Sequence, residues 1–546
     1  MLSSLYIPKT IMRLRIPRQV RYKDFNLKAL ILLCILGIFW TCKSTSFLDH
    51  VGFESTLKPI TEYGIQKNSL VARHFIKVPV SEDDFGEMGR RIQILTGWLT
   101  QIGMESNLIA TKPFLEYEAL VDKTVTSLFP FIQKRTELPN RNPTTFVNLR
   151  KSFVPGSRGI VIPTGIKTFR YTCHLILNLR LILKSTLPIQ IVYAGNSDLP
   201  PQYRSALLSL FSTHYIGAIE FLDLTKILDD TTLQLSDGMS KWAIKPFALL
   251  ASTFEQVILV DSDAIFLQPP ETILDTHAAY AKSGTLFFHD RLVGKNSYRY
   301  RHEFWRWQMK DHTPSRTFRK SRVMNENFGQ EQDSGVVVLD KGRLGVLMGL
   351  LHACWQNTYV VRELITYRNT HGDKEAYWLG MELSGVEYTF AENYGGIIGG
   401  QVWNVTDGIR REDICGSAIA HVDEKGDLLW FNGGLVRKKS DNEGKMTFMD
   451  VNGHMRWSLN GHWRWNRDGN KWDAACMDGG AIRALSVGVK EIIAASVEEA
   501  RGVDDRFAEL MGLLKPKVVH KEGKHQTSVG GVGVGAGFER ADDYNV

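Results

Sequence analysis

Phe254-Glu255-Gln256-Val257-Ile258-Leu259-Val260-Asp261-Ser262-Asp263-Ala264-Ile265-Phe266-Leu267 is the stretch whose reading decides the fold. Its apolar, β-branched run predicts a buried strand, and two aspartates fall at that strand's carboxyl end. In open α/β sheets ligands bind outside the carboxyl ends of strands, so both carboxylates are expected to face a cleft. Hard divalent cations take oxygen ligands and keep positions open for phosphates, which makes Asp261 and Asp263 candidate metal ligands. A metal held there can bridge both phosphates of a nucleotide diphosphate and offset the charge that develops as a sugar leaves. Two other readings fit the triplet: carboxylates that merely cap the next turn, and an aspartyl phosphatase whose first Asp attacks phosphorus. The phosphatase triplet belongs near the start of its domain, whereas a long α/β pattern precedes Asp261.

Outward from this strand, short apolar runs recur at 159–162, 189–193, 218–222, 285–288 and 336–339, with helix-like stretches such as 168–183 and 245–254 among them. Apolar strands alternating with helices predict an α/β domain on a mostly parallel sheet, here residues 151–514. Residues 49–150 are polar with scattered apolar positions and predict a stem carrying some helix, for example near 88–99. The Gly396–Gly400 run lacks the spacing of a dinucleotide fingerprint and predicts a flexible turn. The segment 455–472 is crowded with Trp, Arg and Asn, as in an irregular packed surface or a sugar-stacking platform. Residues 515–546 shift to Lys, His, Gly and Val and predict a disordered tail.

The formal charge of +7 is concentrated at the amino end. Residues 1–28 hold Lys9, Arg13, Arg15, Arg18, Arg21, Lys23 and Lys28 against Asp24. A nucleic-acid binder carries its excess on the folded domain, so nucleic acid is excluded as a partner. The uncharged run Ala29 to Cys42 follows this arm directly, predicting a signal-anchor over 29–48, a cytosolic arm 1–28 and a lumenal remainder. Fourteen helical residues span about 21 Å, short for a bilayer, and a cleaved signal peptide is the alternative. Cys173, Cys354, Cys415 and Cys476 then lie in an oxidising compartment, where three pairings are possible. Asn404-Val405-Thr406 is a glycosylation triplet compatible with that address.

Five segments occur in one order: Gly159 to Gly165, Lys245 to Leu250, the Asp261-x-Asp263 strand, Glu331 to Val337, and Gly372 to Glu375. Across residues 155 to 440 this order resembles the fungal Golgi α-1,3-mannosyltransferases of glycosyltransferase family 71. The resemblance implies a GT-A, Rossmann-like nucleotide-sugar-binding domain in a type II Golgi membrane protein. It also implies GDP-mannose as donor, a mannosylated glycan as acceptor, Mn²⁺ as metal, and retention of anomeric configuration.

The spacing of Lys245 before Asp261 is similar to that in glycogenin-type transferases, where the lysine contacts donor. Thr164 and Lys438 join Lys245, Asp261 and Asp263 as expected donor-binding residues. By the same similarity His421 is the expected third metal ligand. Glu331, Asp333, Asp373 and Glu375 are the candidate catalytic carboxylates, either as a nucleophile or beside a same-face reaction in which the leaving diphosphate takes the proton. Transfer of another sugar, or a catalytically silent glycan-binding protein of this fold, are the alternatives.

Overall fold

Runs of β-branched residues favour extended backbone, and in the computed structural model they become strands. The structure describes residues 60–105, 111–133, 146–211, 218–236, 241–406, 409–436, 451–458, 461–468 and 471–512. The basic arm, the anchor 29–48, Lys438 and the tail 515–546 lie outside the described residues. No helix among the described residues is long and apolar enough to cross a membrane.

The first strands in chain order are β1 (Val154–Pro163), β2 (Ile189–Tyr193), β3 (Ile219–Asp223), β4 (Phe254–Val260), β5 (Ala264–Phe266), β6 (Thr285–His289) and β7 (Gln332–Asp340). All but β5 form one sheet in the order β3-β2-β1-β4-β7-β6. The pairings from β3 through β4 are parallel, while β7 runs antiparallel to both β4 and β6. The sheet is mostly parallel, as expected, and is made mixed by the one reversed strand β7. The chain between β6 and β7 returns to the end at which β6 leaves, so β7 runs back along both neighbours. An apolar run does not encode that direction.

Residues Gln332 to Leu339 of β7 are all buried. Helices cover both faces of the sheet, which is why these strands read as continuous apolar runs rather than alternating ones. One face packs Ile160, Ile191, Ile258 and Val338 with Phe169 and Leu175. The other carries the helices Ile244–Ala251 and Leu344–Gln356.

A second, antiparallel sheet follows, built from β8 (Gly396–Thr406), β9 (Ile409–Val422), β10 (Leu428–Asn432), β11 (Gly453–Met455), β12 (His462–Asp468), β13 (Lys471–Asp478) and β14 (Ile482–Ala484). Its main order is β12-β13-β9-β8-β11-β14, and β10 joins β9 to β5. Because β5 directly follows Asp263, this link ties the second sheet to the Asp261–Asp263 turn. The expected flexible turn at Gly396–Gly400 is corrected: it opens β8. A Cβ on Gly399 would lie 2.1 Å from the Cys415 carbonyl oxygen, so glycine is what lets β9 pass this close.

The segment read as a stem also needs correction. Helices Glu62–Lys77, Phe85–Glu105 and Lys112–Leu128 pack into the folded unit. Phe85, Met88, Ile92 and Leu95 are buried at helical spacing, and Gln93 Nε2 donates to the Leu383 carbonyl at 2.7 Å. The Trp-rich segment contributes the β12–β13 pairing, with Trp463 donating to the Gly395 carbonyl at 3.2 Å.

Of the three possible cysteine pairings the structure contains Cys415–Cys476, while Cys173 and Cys354 are buried free thiols. The bridge joins neighbouring strands β9 and β13. Non-reducing peptide mapping is expected to recover a 415–476 crosslink with Cys173 and Cys354 alkylated only after denaturation. Cys476→Ser should cost about 2–4 kcal/mol in denaturant unfolding. Recovery of a Cys173–Cys354 crosslink would contradict this pairing.

Candidate active site

Asp261 leaves β4 with its backbone N–H donating to the Gly335 carbonyl at 2.8 Å, which fixes it against β7. The Ala264 N–H donates to the Asp261 carbonyl at 3.0 Å and closes the turn, and the Gly433 N–H donates to the Asp263 carbonyl at 3.2 Å. Lys245 sits in the first turn of the helix Ile244–Ala251. Pro246 is tolerated beside it because first-turn N–H groups have no intrahelical acceptor.

Lys245 is buried, with 7% of its surface exposed. Its ammonium donates to Asp261 Oδ2 at 2.7 Å and to Ser334 Oγ at 3.3 Å, and lies 3.7 Å from Asp373 Oδ1. Burial alone would lower its pKa, but Asp261 and Asp373 outweigh burial and hold it above the ordinary lysine value. Asp373 Oδ2 in turn accepts from the Tyr377 hydroxyl at 2.8 Å. Burial pushes the Asp261 carboxyl up to about 7; Lys245 pulls it back, while Asp263 and Asp373 add to the rise. Two carboxylates thus share one ammonium, and the Asp263 charge acts on it from nearby. Such a negative surplus suits a hard divalent cation, which Asp261 and Asp263 could hold.

Asp333 stands beside this cluster at the start of β7 and is fully buried. Its Oδ1 accepts from the Gly335 N–H at 3.0 Å and from Asn432 Nδ2 at 2.9 Å, and its Oδ2 pairs with His421 Nε2 at 3.0 Å. Burial opposes its charge, yet His421, Lys374 and the Gly335 N–H hold its carboxyl far below the usual range. The structure places His421, expected as third metal ligand, on Asp333, with its ring stacked on Trp430 at 4.2 Å between centroids. No group of three or more His, Cys, Asp or Glu among the described residues is arranged to hold a metal.

Glu331 and Glu375 occupy a separate buried network. Glu375 accepts from the Glu331 N–H at 3.0 Å and from the Trp378 indole, and burial raises its carboxyl to about 8. Glu331 bonds Ser321 and Tyr394 and lies 2.7 Å from His289 Nδ1. Thr164, expected to touch donor, turns its hydroxyl inward to the Ile162 carbonyl and to Thr172. It is 1% exposed.

Sequence reasoning missed Asp290, which pairs with Lys374 at 2.6 Å, and Tyr377, which orients Asp373. It also missed Trp242, an exposed indole packed over Gly372 one helical turn before Lys245. Trp242 and Tyr377 lay within reach of a sequence reading, since each stands beside a quoted motif.

Residues 157–423 match the protein family described as "Mannosyltransferase putative". Among curated relatives, Alpha-1,3-mannosyltransferase MNT3 of Saccharomyces cerevisiae is 29% identical over 48% of this chain and 44% of its own length. Alpha-1,3-mannosyltransferase MNT2 of the same yeast is 28% identical over 53% of this chain and 54% of its own. The chain spans about half the length of the curated relatives it matches. Among solved structures, the apo form of the bifunctional glycosyltransferase WbbM matches at a TM-score of 0.29 and 12% identity over 54% of this chain and 50% of that one, too low a score to bear weight.

A carboxyl whose folded pKa is raised stabilises the fold most at low pH, and that contribution is lost as pH rises through the folded value. Without metal, Asp261 should therefore weaken the fold progressively between about pH 4 and pH 7. Denaturant unfolding in EDTA is expected to shift in favour of Asp261→Asn over wild type between pH 5 and pH 8, by at least about 1.4 kcal/mol, the equivalent of one pKa unit. A difference that does not change with pH would contradict the charge surplus.

Proposed function

We propose, from the premise that this chain belongs to the fungal α-1,3-mannosyltransferase family, that it is a metal-dependent GT-A enzyme moving mannose from GDP-mannose to a hydroxyl of a mannose-containing glycan. The observation that carries this reading is the cluster at the carboxyl end of β4, where Asp261 and Asp373 share the ammonium of Lys245 and the Asp263 charge acts on it from nearby. A bound Mn²⁺ would supply Lewis-acid stabilisation of the leaving diphosphate. Asp261 and Asp263 would hold that ion, and Lys245 would offer a point charge to a phosphate beside them. Asp373 holds Lys245 in place and is itself oriented by Tyr377.

Glu331, Asp333, Asp373 and Glu375 all spend carboxylate oxygens on neighbours. That engagement favours a retaining reaction in which donor and acceptor meet on one face and the departing diphosphate takes the acceptor proton. Family habit supports the α-1,3 linkage. The basic arm followed by an apolar run supports a type II Golgi membrane protein with this domain in the lumen.

Release of GDP from GDP-mannose, with a mannobiose acceptor and with or without Mn²⁺, tests the reading. Wild type is expected to need Mn²⁺, and Asp261→Asn and Asp263→Asn should each lose on the order of a thousandfold in rate. Full activity in EDTA would overturn the metal mechanism. Turnover with UDP-glucose but not GDP-mannose would overturn the donor assignment alone.

A further inference from the structure

Once His421 is assigned to Asp333, Asp261 and Asp263 lack a third protein partner for the cation, and the geometry points to Asn432. We infer that the Asn432 side-chain carbonyl is the third protein oxygen for that ion, an inference that rests on the metal reading proposed above. Asn432 ends β10, which pairs with β5 so that Asn432 lies opposite Ala264, the residue after Asp263. The next residue, Gly433, gives its N–H to the Asp263 carbonyl at 3.2 Å.

On the other side, the Asn432 amide lies over Gly335, whose carbonyl accepts the Asp261 N–H. A Cβ at Gly335 would come within 2.7 Å of Asn432 Nδ2 and 2.9 Å of the Trp430 ring, so only glycine leaves room for this amide. Asn432 is thereby fixed to the backbone of one candidate ligand and packed against the residue that anchors the other.

The orientation of the amide follows from Asp333. Asn432 Nδ2 donates to Asp333 Oδ1 at 2.9 Å, beside the Gly335 N–H that donates to the same oxygen at 3.0 Å. Oδ1 then points away from Asp333, and among the described residues it accepts no hydrogen bond. A neutral carbonyl oxygen is a hard donor suited to Mn²⁺ or Mg²⁺, and it completes a shell without adding charge to a cluster already rich in carboxylates. His421 thus acts on the metal only through Asp333 and Asn432, as a positioning residue.

Titrating the full-length chain with Mn²⁺ alone, and reading free ion by electron paramagnetic resonance, tests this without turnover. Asn432→Ala and Asn432→Ser are each expected to weaken Mn²⁺ binding by more than about tenfold, and His421→Gln, which acts at one remove, by a smaller factor than either. Melting in EDTA identifies any variant that fails to fold, and the serine variant keeps a small polar group should alanine collapse the site. Wild-type Mn²⁺ affinity in a folded Asn432→Ala or Asn432→Ser would overturn the assignment, as would a His421→Gln loss equal to theirs. Absence of Mn²⁺ binding in wild type itself would instead overturn the metal reading on which it stands.

Discussion

Lys245 is buried between carboxylates that come from segments far apart in the chain, Asp261 after β4 and Asp373 before the helix Ala376–Leu383. A buried ammonium that lost its partners would cost several kcal/mol, so the helix, the central strand and this turn must arrive together. Ser334 at the start of β7 completes the arrangement by touching both Lys245 and Asp373. The constraint is lopsided in charge. One cation among three carboxylates is enough to fold around and too little to neutralise, which leaves the site poised for a further positive charge.

The two sheets meet at this point for a mechanical reason. β4 ends in the Asp261–Asp263 turn, and the next residues form β5, which belongs to the second sheet through β10. The Asp261–Asp263 turn is therefore held from one side by β7, through the Asp261–Gly335 bond, and from the other by β10, through Gly433 and Asp263. The buried Asp333–His421 pair and the Asn432 amide fill the seam between them. Binding geometry at the turn depends on both sheets keeping their register.

Much of this was legible in the sequence because it is local. The strand that delivers Asp-x-Asp is read directly from its apolar run, while Lys245 stands out by similarity to glycogenin-type transferases as a donor contact, and its bond to Asp261 comes from the structure. The partner of His421 was not legible, since β9 and β7 come together only through tertiary contacts and an imidazole bonds carboxylate or metal equally well. Strand direction was hidden for the same reason: the run in β7 is apolar whether it runs parallel or antiparallel. The helices of residues 62–128 looked like a stem because their buried positions, such as Phe85, Met88 and Ile92, are spread thinly among polar ones. Thr164 sits at a strand end facing the cleft by sequence logic, yet its hydroxyl finds Thr172 in the adjoining helix.

The account stands or falls on whether this cluster holds a cation. A crystal grown with Mn²⁺ and GDP, measured on either side of the manganese absorption edge, reports that position directly. The account predicts one strong anomalous peak within bonding distance of the Asp261 and Asp263 carboxylates and of both GDP phosphates. GDP bound with no anomalous peak, or a peak coordinated by other side chains while Lys245 still bridges Asp261 and Asp373, would contradict it.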